Sequence, residues 1–404
     1  LDTFKDIVAE NTTMKVAGKE DGPTRDWRYA LYEETNFLKN DEFPYRAFSS
    51  GHVAYRKQAI EKAGYYDEEF NIWGCEDNEA GYRLYNQGYL FIPVLEAIDL
   101  HQEPPGGKNE TNREKDRVIS RELLKAKCPA VRSWFGTPYV RKPGDAPLVS
   151  ICIPSYNTKE FIVEAIESAL HQTEDDVEVI IYDDCSTDGT VQLIEEKYSK
   201  TPNVKLIKGS VNKNVTHARN ELIKAARGEF IGFLDSDDVL EPTCIQECLI
   251  KFRGKPAIGL VCTGYSKIDE NGNSLGNGWT PSNFTREGMC FGNIFTHFRM
   301  FRIRDWNRSP RWTEEDLKSI FYGEDWDLCL KLAEVCEFSR VEKPLYKYRV
   351  RNSSITRTNN MTKLAEQTLL IANKMLKRRG IAGINVYSTY PETFPHRLCY
   401  VNLF

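Results

Sequence analysis

The sequence predicts an α/β protein with a doubly wound, mostly parallel sheet over residues 148–357, preceded by a partial second copy of the same unit in residues 1–106. Three observations predict it. Short apolar runs alternate with segments of helical periodicity from Leu148 onward, the pattern of a parallel sheet with crossover helices. Three of those runs end in polar loops, which brings Tyr156, Asp183, Asp184 and Asp235 to Asp238 to one sheet edge. Gly74 to Glu79 and Gly323 to Asp327 are two similar acidic segments, each followed by a helix and then a strand, so the second half echoes the first.

In chain order, Trp27 to Leu38 reads as a short helix, Phe48 to Arg56 as a strand and Ala59 to Ala63 as a helix closed by Gly64. Glu76 and Asp77 stand at the start of a helix with Ala80, Leu84 and Tyr85 at helical spacing, and Leu90 to Val94 reads as a strand leading to His101. Acidic residues in a first helical turn are favoured by the helix dipole alone, so Glu76 and Asp77 do not by themselves mark a site. From 107 to 147 the composition turns polar, with Pro138, Pro143 and Pro147, and reads as a connector that contains a helix over Arg113 to Lys127. Strands follow at Val149 to Ile153, Val177 to Tyr182, Val204 to Ile207, Phe230 to Leu234, Ile258 to Thr263 and Phe298 to Ile303. Helices between them cover Phe161 to Leu170, Val191 to Tyr198, Val215 to Ala226 and Pro242 to Phe252. Residues 358–404 read as a helical extension with Leu364, Thr368, Ile371 and Met375 on one stripe. Its excess of Lys and Arg also fits a helix lying on a membrane surface, though packing on the second domain is the commoner use of such a stripe.

The chain is organised around the acidic stretch. A buried strand running straight into Asp235, Asp237 and Asp238 sets carboxylates at the carboxyl end of the sheet, where open α/β sheets bind ligands. Carboxylates one residue apart can share a hard cation such as Mg²⁺ or Mn²⁺ bridging two phosphates. Composition narrows the rest. A net charge of -5 gives no support to a nucleic-acid partner. No apolar run approaches the ~18 residues needed to span a bilayer. The 11 cysteines are scattered, which fits a reduced, cytoplasmic compartment. The start at Leu1 with no leader reads as a piece of a longer chain. No dinucleotide-binding glycine fingerprint and no P-loop is present, which argues against dehydrogenases and ATP-hydrolysing folds.

Five motifs carry a family resemblance: Val149 to Asn157, Asp183 to Thr190, Ala218 to Asn220, Asp235 to Asp238 and Gly323 to Asp325. In this order and spacing the second domain resembles the inverting family 2 glycosyltransferases of the GT-A fold. Phe48 to Gly51, Trp73 to Glu79, His101 to Gly106 and His297 to Phe301 extend the resemblance to the bacterial two-domain hyaluronan and chondroitin synthases, over roughly residues 45–355. The resemblance implies a UDP-sugar donor, an oligo- or polysaccharide acceptor and Mn²⁺ or Mg²⁺. It implies that Pro154, Tyr156, Asn157, Asp183, Asp184, Arg219, Asp235 and Ser236 hold the nucleotide and that Asp237 is the chief metal ligand. It makes Asp325 the catalytic base, beside Glu324. By the order of the two copies, the second would transfer glucuronic acid to a glycosaminoglycan-like capsule polymer, at the inner face of the membrane or beside export proteins.

The sequence departs from that pattern in three places. Position 185 is Cys where Gly is usual. The first copy keeps Glu76, Asp77 and His101 but has no nucleotide-binding half, so no activity is expected from it. Arg351 stands where relatives often place a metal-binding His; Arg is always protonated and cannot ligate a cation, but it can pair with a diphosphate. Two alternatives stay open: transfer of another capsule or lipopolysaccharide sugar, and a non-catalytic saccharide-binding remnant that grips polymer through Trp73, Trp279 and Trp326.

Overall fold

The computed structural model describes residues 27–49, 53–95, 113–135, 139–142, 144–279, 289, 297–351, 361–390 and 394–402. The chain falls into two compact units, residues 1–139 and 140–404.

The first unit is helical among its described residues. It contains α1 (Trp27–Glu34), α2 (Lys57–Ala63), α3 (Glu76–Asn86) and α4 (Arg113–Lys127). Gly64 closes α2 in the left-handed conformation expected of a glycine stop. Helix α4, assigned above to a connector, is instead core material. Leu124, Cys128 and Val131 are fully buried in one cluster with Tyr45, Tyr82 and Tyr85. The polar composition of this stretch lies on its outer face, which is why composition alone suggested a linker. Two expected strands are not found among the described residues. Residues 53–56 are irregular and run into α2, and Leu90 to Val94 pairs with nothing among the described residues. Leu90, Ile92 and Val94 are exposed in alternation. The period-two signal is present, but a strand needs a hydrogen-bonding neighbour to exist.

The second unit is the predicted α/β sheet. In order it runs β1 (Val149–Ser155), α5 (Ile162–Leu170), β2 (Val177–Asp183), α6 (Thr190–Tyr198), β3 (Val204–Lys208), α7 (Val215–Ala225), β4 (Phe230–Phe233) and β5 (Val239–Leu240). It continues with α8 (Cys244–Phe252), β6 (Ile258–Ile268), β7 (Ser274–Asn277), β8 (Arg299–Arg302), α9 (Ile303–Arg308), α10 (Glu314–Ser319) and α11 (Glu324–Leu332). It closes with β9 (Glu337–Arg349), α12 (Met361–Arg378), β10 (Ile384–Tyr390) and β11 (Phe394–Asn402). The main sheet has the order β3-β2-β1-β4-β8-β6-β9-β5, with β7 hung on β6. The block β3-β2-β1-β4 is wholly parallel; β8 then pairs antiparallel with both β4 and β6.

Strands β1 and β2 are buried at every residue, which explains their continuous apolar character. Alternate residues feed two cores. Cys152, Ile180, Ile231 and Phe233 face one layer with α7, α11 and α12; Ile151, Ile153, Val179 and Ile181 face the other with α5, α6 and α8. Gly232 is needed in β4, since a Cβ there would lie 2.3 Å from Phe298 Cζ. The chain leaves β1 toward β2 and β3, then returns to β1's other side as β4. That reversal leaves a crevice at the carboxyl ends of β1, β2 and β4.

The C-terminal extension is not helix alone: β10 and β11 form an antiparallel hairpin. The apolar stripe of α12 is buried, with Ile371, Ala372 and Met375 in the core beside Leu398 of the hairpin. That stripe is therefore taken up by packing rather than offered to a membrane surface.

Candidate active site

The crevice is built from four distant segments. Strand β4 delivers Asp235 at its carboxyl end. The Asp235 N–H donates to the Tyr346 hydroxyl at 3.2 Å, and that hydroxyl donates to Asp238 Oδ2 at 2.6 Å. The Arg349 N–H donates to Asp238 Oδ1 at 2.7 Å, and Arg349 Nε to the Asp237 carbonyl at 2.7 Å. β9 thus pins the acidic loop from below. Asp238 is 1% exposed; burial, then the charges of Asp237 and Asp235, push its carboxyl well above the usual carboxylate range.

Arg219 of α7 joins the loop to α11. One guanidinium nitrogen lies 2.8 Å from Asp235 Oδ1 and another 2.9 Å from Glu324 Oε1, with the Phe233 ring 5.0 Å from its Cζ. Burial works against this charge, but Glu324, Asp235 and Asp325 together hold it firmly protonated. Glu324 and Asp325 open α11 after Gly323, whose φ of 76° makes the turn into the helix. Burial lifts Glu324 to about 7 in spite of Arg219. Asp325 accepts from Arg299 Nη2 at 2.6 Å and from the Trp326 N–H at 2.8 Å. It is more exposed than Glu324, 23% against 9% of the side chain. Of the two carboxylates it is therefore the more accessible.

The loops after β1 and β2 are zipped together. Asn157 N–H donates to Ser186 Oγ and Thr187 N–H to Asn157 Oδ1, both at 2.8 Å. Pro154 sits opposite Tyr182 near the end of β1, and Tyr156 is left 48% exposed at the rim. Asp183 and Asp184 are buried and satisfied by the protein. Asp183 accepts from the N–H and hydroxyl of Ser186, and Asp184 from the N–H groups of Lys213 and Asn214. They shape the loops rather than present free carboxylates. Cys185 adopts φ 69°, which accounts for glycine being usual there. Ser236 is buried in the turn of the acidic loop.

Asp237 is ion-paired with Arg351, as Asp235 is with Arg219, and Arg351 lies over Phe161 with its Cζ 5.0 Å from the ring. The carboxylate expected to be the chief metal ligand thus has a cationic partner. Among the described residues, the group with metal-ligand spacing is Asp235, Asp238 and His297, whose ligand atoms lie within 4.8 Å of one another. Burial and Arg299 lower His297 to about 4, so its imidazole is neutral and able to ligate. Two carboxylates and a neutral imidazole suit Mn²⁺ or Mg²⁺ in charge and atom type. A cation there would also offset the carboxylate repulsion at Asp238. A cleft of about 410 Å³ opens beside the Asp237–Arg351 pair, lined by Asn157, Lys159, Phe161, Asp188 and Arg351 among others.

Sequence reasoning placed His297 in a family motif without assigning it a role, and missed Tyr346 and Arg349 as parts of the site. His297 stacks between Tyr346 and Tyr348, at 5.0 and 4.9 Å. Both tyrosines lie on one face of β9, and that period-two spacing was the available signal. Arg302 is buried against Glu229 in the opposite layer, so of the two β8 arginines only Arg299 reaches the site. In the first unit, Glu76 and Asp77 open α3 after left-handed Cys75, as Glu324 and Asp325 open α11. His101 lies outside the described residues.

Residues 150–309 match the family described as glycosyl transferase family 2, and residues 37–98 the one described as the N-terminal domain of galactosyltransferase. A chondroitin synthase of Escherichia coli is 40% identical over 374 residues, 92% of this chain and 53% of that one. A hyaluronan synthase of Pasteurella multocida is 36% identical over 375 residues, 93% of this chain and 38% of that one. A chondroitin synthase of Pasteurella multocida (strain Pm70) is 36% identical over 360 residues, 89% of this chain and 37% of that one. The chain thus spans about half, or less, of the length of these relatives.

Proposed function

We propose that this chain, which belongs to glycosyltransferase family 2 through residues 150–309, transfers glucuronic acid with inversion from a UDP donor to the non-reducing end of a glycosaminoglycan-like polysaccharide. The observation that carries the reading is Arg219, which ties Asp235 of the acidic loop to Glu324 of the helix that bears Asp325. Donor-side and acceptor-side carboxylates, 90 residues apart in sequence (325 minus 235), are held as one unit. The relatives of 36–40% identity are chondroitin and hyaluronan synthases, which is what points to this class of polymer.

In this reading Asp325 takes the proton from the acceptor hydroxyl as it attacks the anomeric carbon, since a sugar hydroxyl is a poor nucleophile. Arg299 donates to Asp325 and orients it. Tyr156, Pro154 and the loops shaped by Asp183 and Asp184 take the uridine, and Arg351 and Lys159 face the diphosphate from the adjoining cleft. A divalent cation, held by Asp235, Asp238 and His297, would supply Lewis-acid stabilisation of the departing diphosphate. No helix among the described residues is long and apolar enough to cross a membrane.

The test is a donor screen with Asp325→Asn beside the unaltered chain. UDP-glucuronate, UDP-glucose, UDP-N-acetylglucosamine and UDP-N-acetylgalactosamine are offered with short hyaluronan or chondroitin acceptors of both non-reducing ends. Glucuronate transfer should appear, and Asp325→Asn should keep UDP binding while losing transfer by roughly 10²–10⁴. Transfer of an N-acetylhexosamine alone would overturn the donor assignment. Near-normal turnover in Asp325→Asn would remove the base.

A further inference from the structure

Trp306, Trp312 and Trp326 are all buried in the core of the second unit, whereas Trp279 is 64% exposed. An indole is a large apolar surface to leave in water, and its placement here is fixed rather than loose. Trp279 follows β7, a ribbon exposed at each of its residues Ser274–Asn277. The next residue, Gly278, is pressed flat against Tyr265: a Cβ there would lie 2.0 Å from the ring, and the Gly278 N–H donates to the Tyr265 carbonyl at 2.8 Å. The Trp279 backbone in turn lies beside the Tyr265 hydroxyl. Tyr265 meets His297 edge to face, with ring centroids 4.9 Å apart, and His297 is the neighbour of Asp235 and Asp238. Trp279 is therefore moored two residues, Tyr265 and His297, from the acidic loop. The first unit's exposed tryptophan is different in kind, since the Arg117 guanidinium already lies over the Trp73 ring at 5.0 Å.

We infer that Trp279 is an acceptor subsite: a platform on which a pyranose ring of the incoming saccharide stacks its C–H face, with exposed Asn277 beside it for the ring hydroxyls. Aromatic side chains serve this use because they give apolar contact area with little entropy to lose and tolerate a polar rim. The platform would select for chain rather than for donor, holding a sugar beyond the one that reacts. This rests on the transferase reading above.

The experiment uses the whole chain with Trp279→Ala and Trp279→Tyr. Initial rates are measured against acceptor length and donor concentration, with UDP release from donor alone and tryptophan fluorescence on titration with hyaluronan and chondroitin oligosaccharides. Trp279→Ala should raise the acceptor KM by about tenfold or more while leaving donor KM and acceptor-free UDP release unchanged. Trp279→Tyr should recover most of the loss, and the oligosaccharide-induced fluorescence change should vanish in both variants. An unchanged acceptor KM in a Trp279→Ala protein of unaltered melting temperature overturns the inference and leaves the transferase intact. If the unaltered chain turns over no donor, the transferase reading fails, and the fluorescence titration alone decides: a response that persists in Trp279→Ala overturns the platform.

Discussion

The Arg219–Glu324 contact invites the assumption that it is a stabilising salt bridge, and Glu324→Gln tests the opposite. Burial lifts Glu324 from an ordinary 4.5 to about 7 although a guanidinium lies 2.9 Å away, so desolvation outweighs the pair. A carboxyl raised on folding binds its proton more tightly in the folded state. Its contribution is present below the unfolded value and is lost as pH rises through the folded one. The window is therefore pH 4.5 to 7. At roughly 1.4 kcal/mol per pH unit of that gap, the ionised form costs on the order of 3 kcal/mol above neutrality. Gln mimics the protonated acid and does not titrate. Glu324→Gln should match the unaltered chain near pH 4.5 and become the more stable by pH 8, melting higher by on the order of 6 °C for a unit of this size. The assay is thermal unfolding of both proteins across that range, and the quantity read is the difference between them, which cancels the other titrating groups. A stabilising ion pair predicts the reverse sign, a loss of roughly 3–5 kcal/mol at pH 8. Parallel curves, or a Glu324→Gln protein that melts lower at pH 8, would refute the reasoning.

Three further outcomes are expected. Cys185→Gly should stabilise the second unit by about 1 kcal/mol in urea unfolding, because Cys185 is held at φ 69° and only glycine adopts that without strain. Gly232→Ala should destabilise by roughly 1–3 kcal/mol, since its Cβ would meet Phe298 at 2.3 Å in a central strand; an unchanged urea midpoint would mean that Phe298 moves freely. Chelation should abolish transfer and Mn²⁺ or Mg²⁺ restore it, and His297→Ala should weaken Mn²⁺ binding, read by calorimetry, by at least about tenfold while Arg351→Gln leaves it intact. Full activity in excess chelator, or a metal affinity that follows Arg351 instead, would return the cation to Asp237 or dispense with it.

The sequence by itself determined the sheet and its edge. The order of strands and helices from Leu148, the apolar strands and the polar residues at their ends are local signals, set by side-chain period and by the chain's need to bury one face of each element. Asp235 and Asp325 were legible for the same reason: each follows or opens an element whose end is visible in the pattern. Side chains that meet across the fold were not legible. Asp237 faces Arg351 and Asp238 faces Tyr346 and Arg349 because β5 pairs with β9 about a hundred residues later, and no local period encodes that register. Adjacent carboxylates of one short loop were thereby given different partners by the strand beneath them. Nor could composition show that α4 is core or that Leu90 to Val94 has no partner strand among the described residues, since packing and pairing depend on what lies opposite and not on the segment itself.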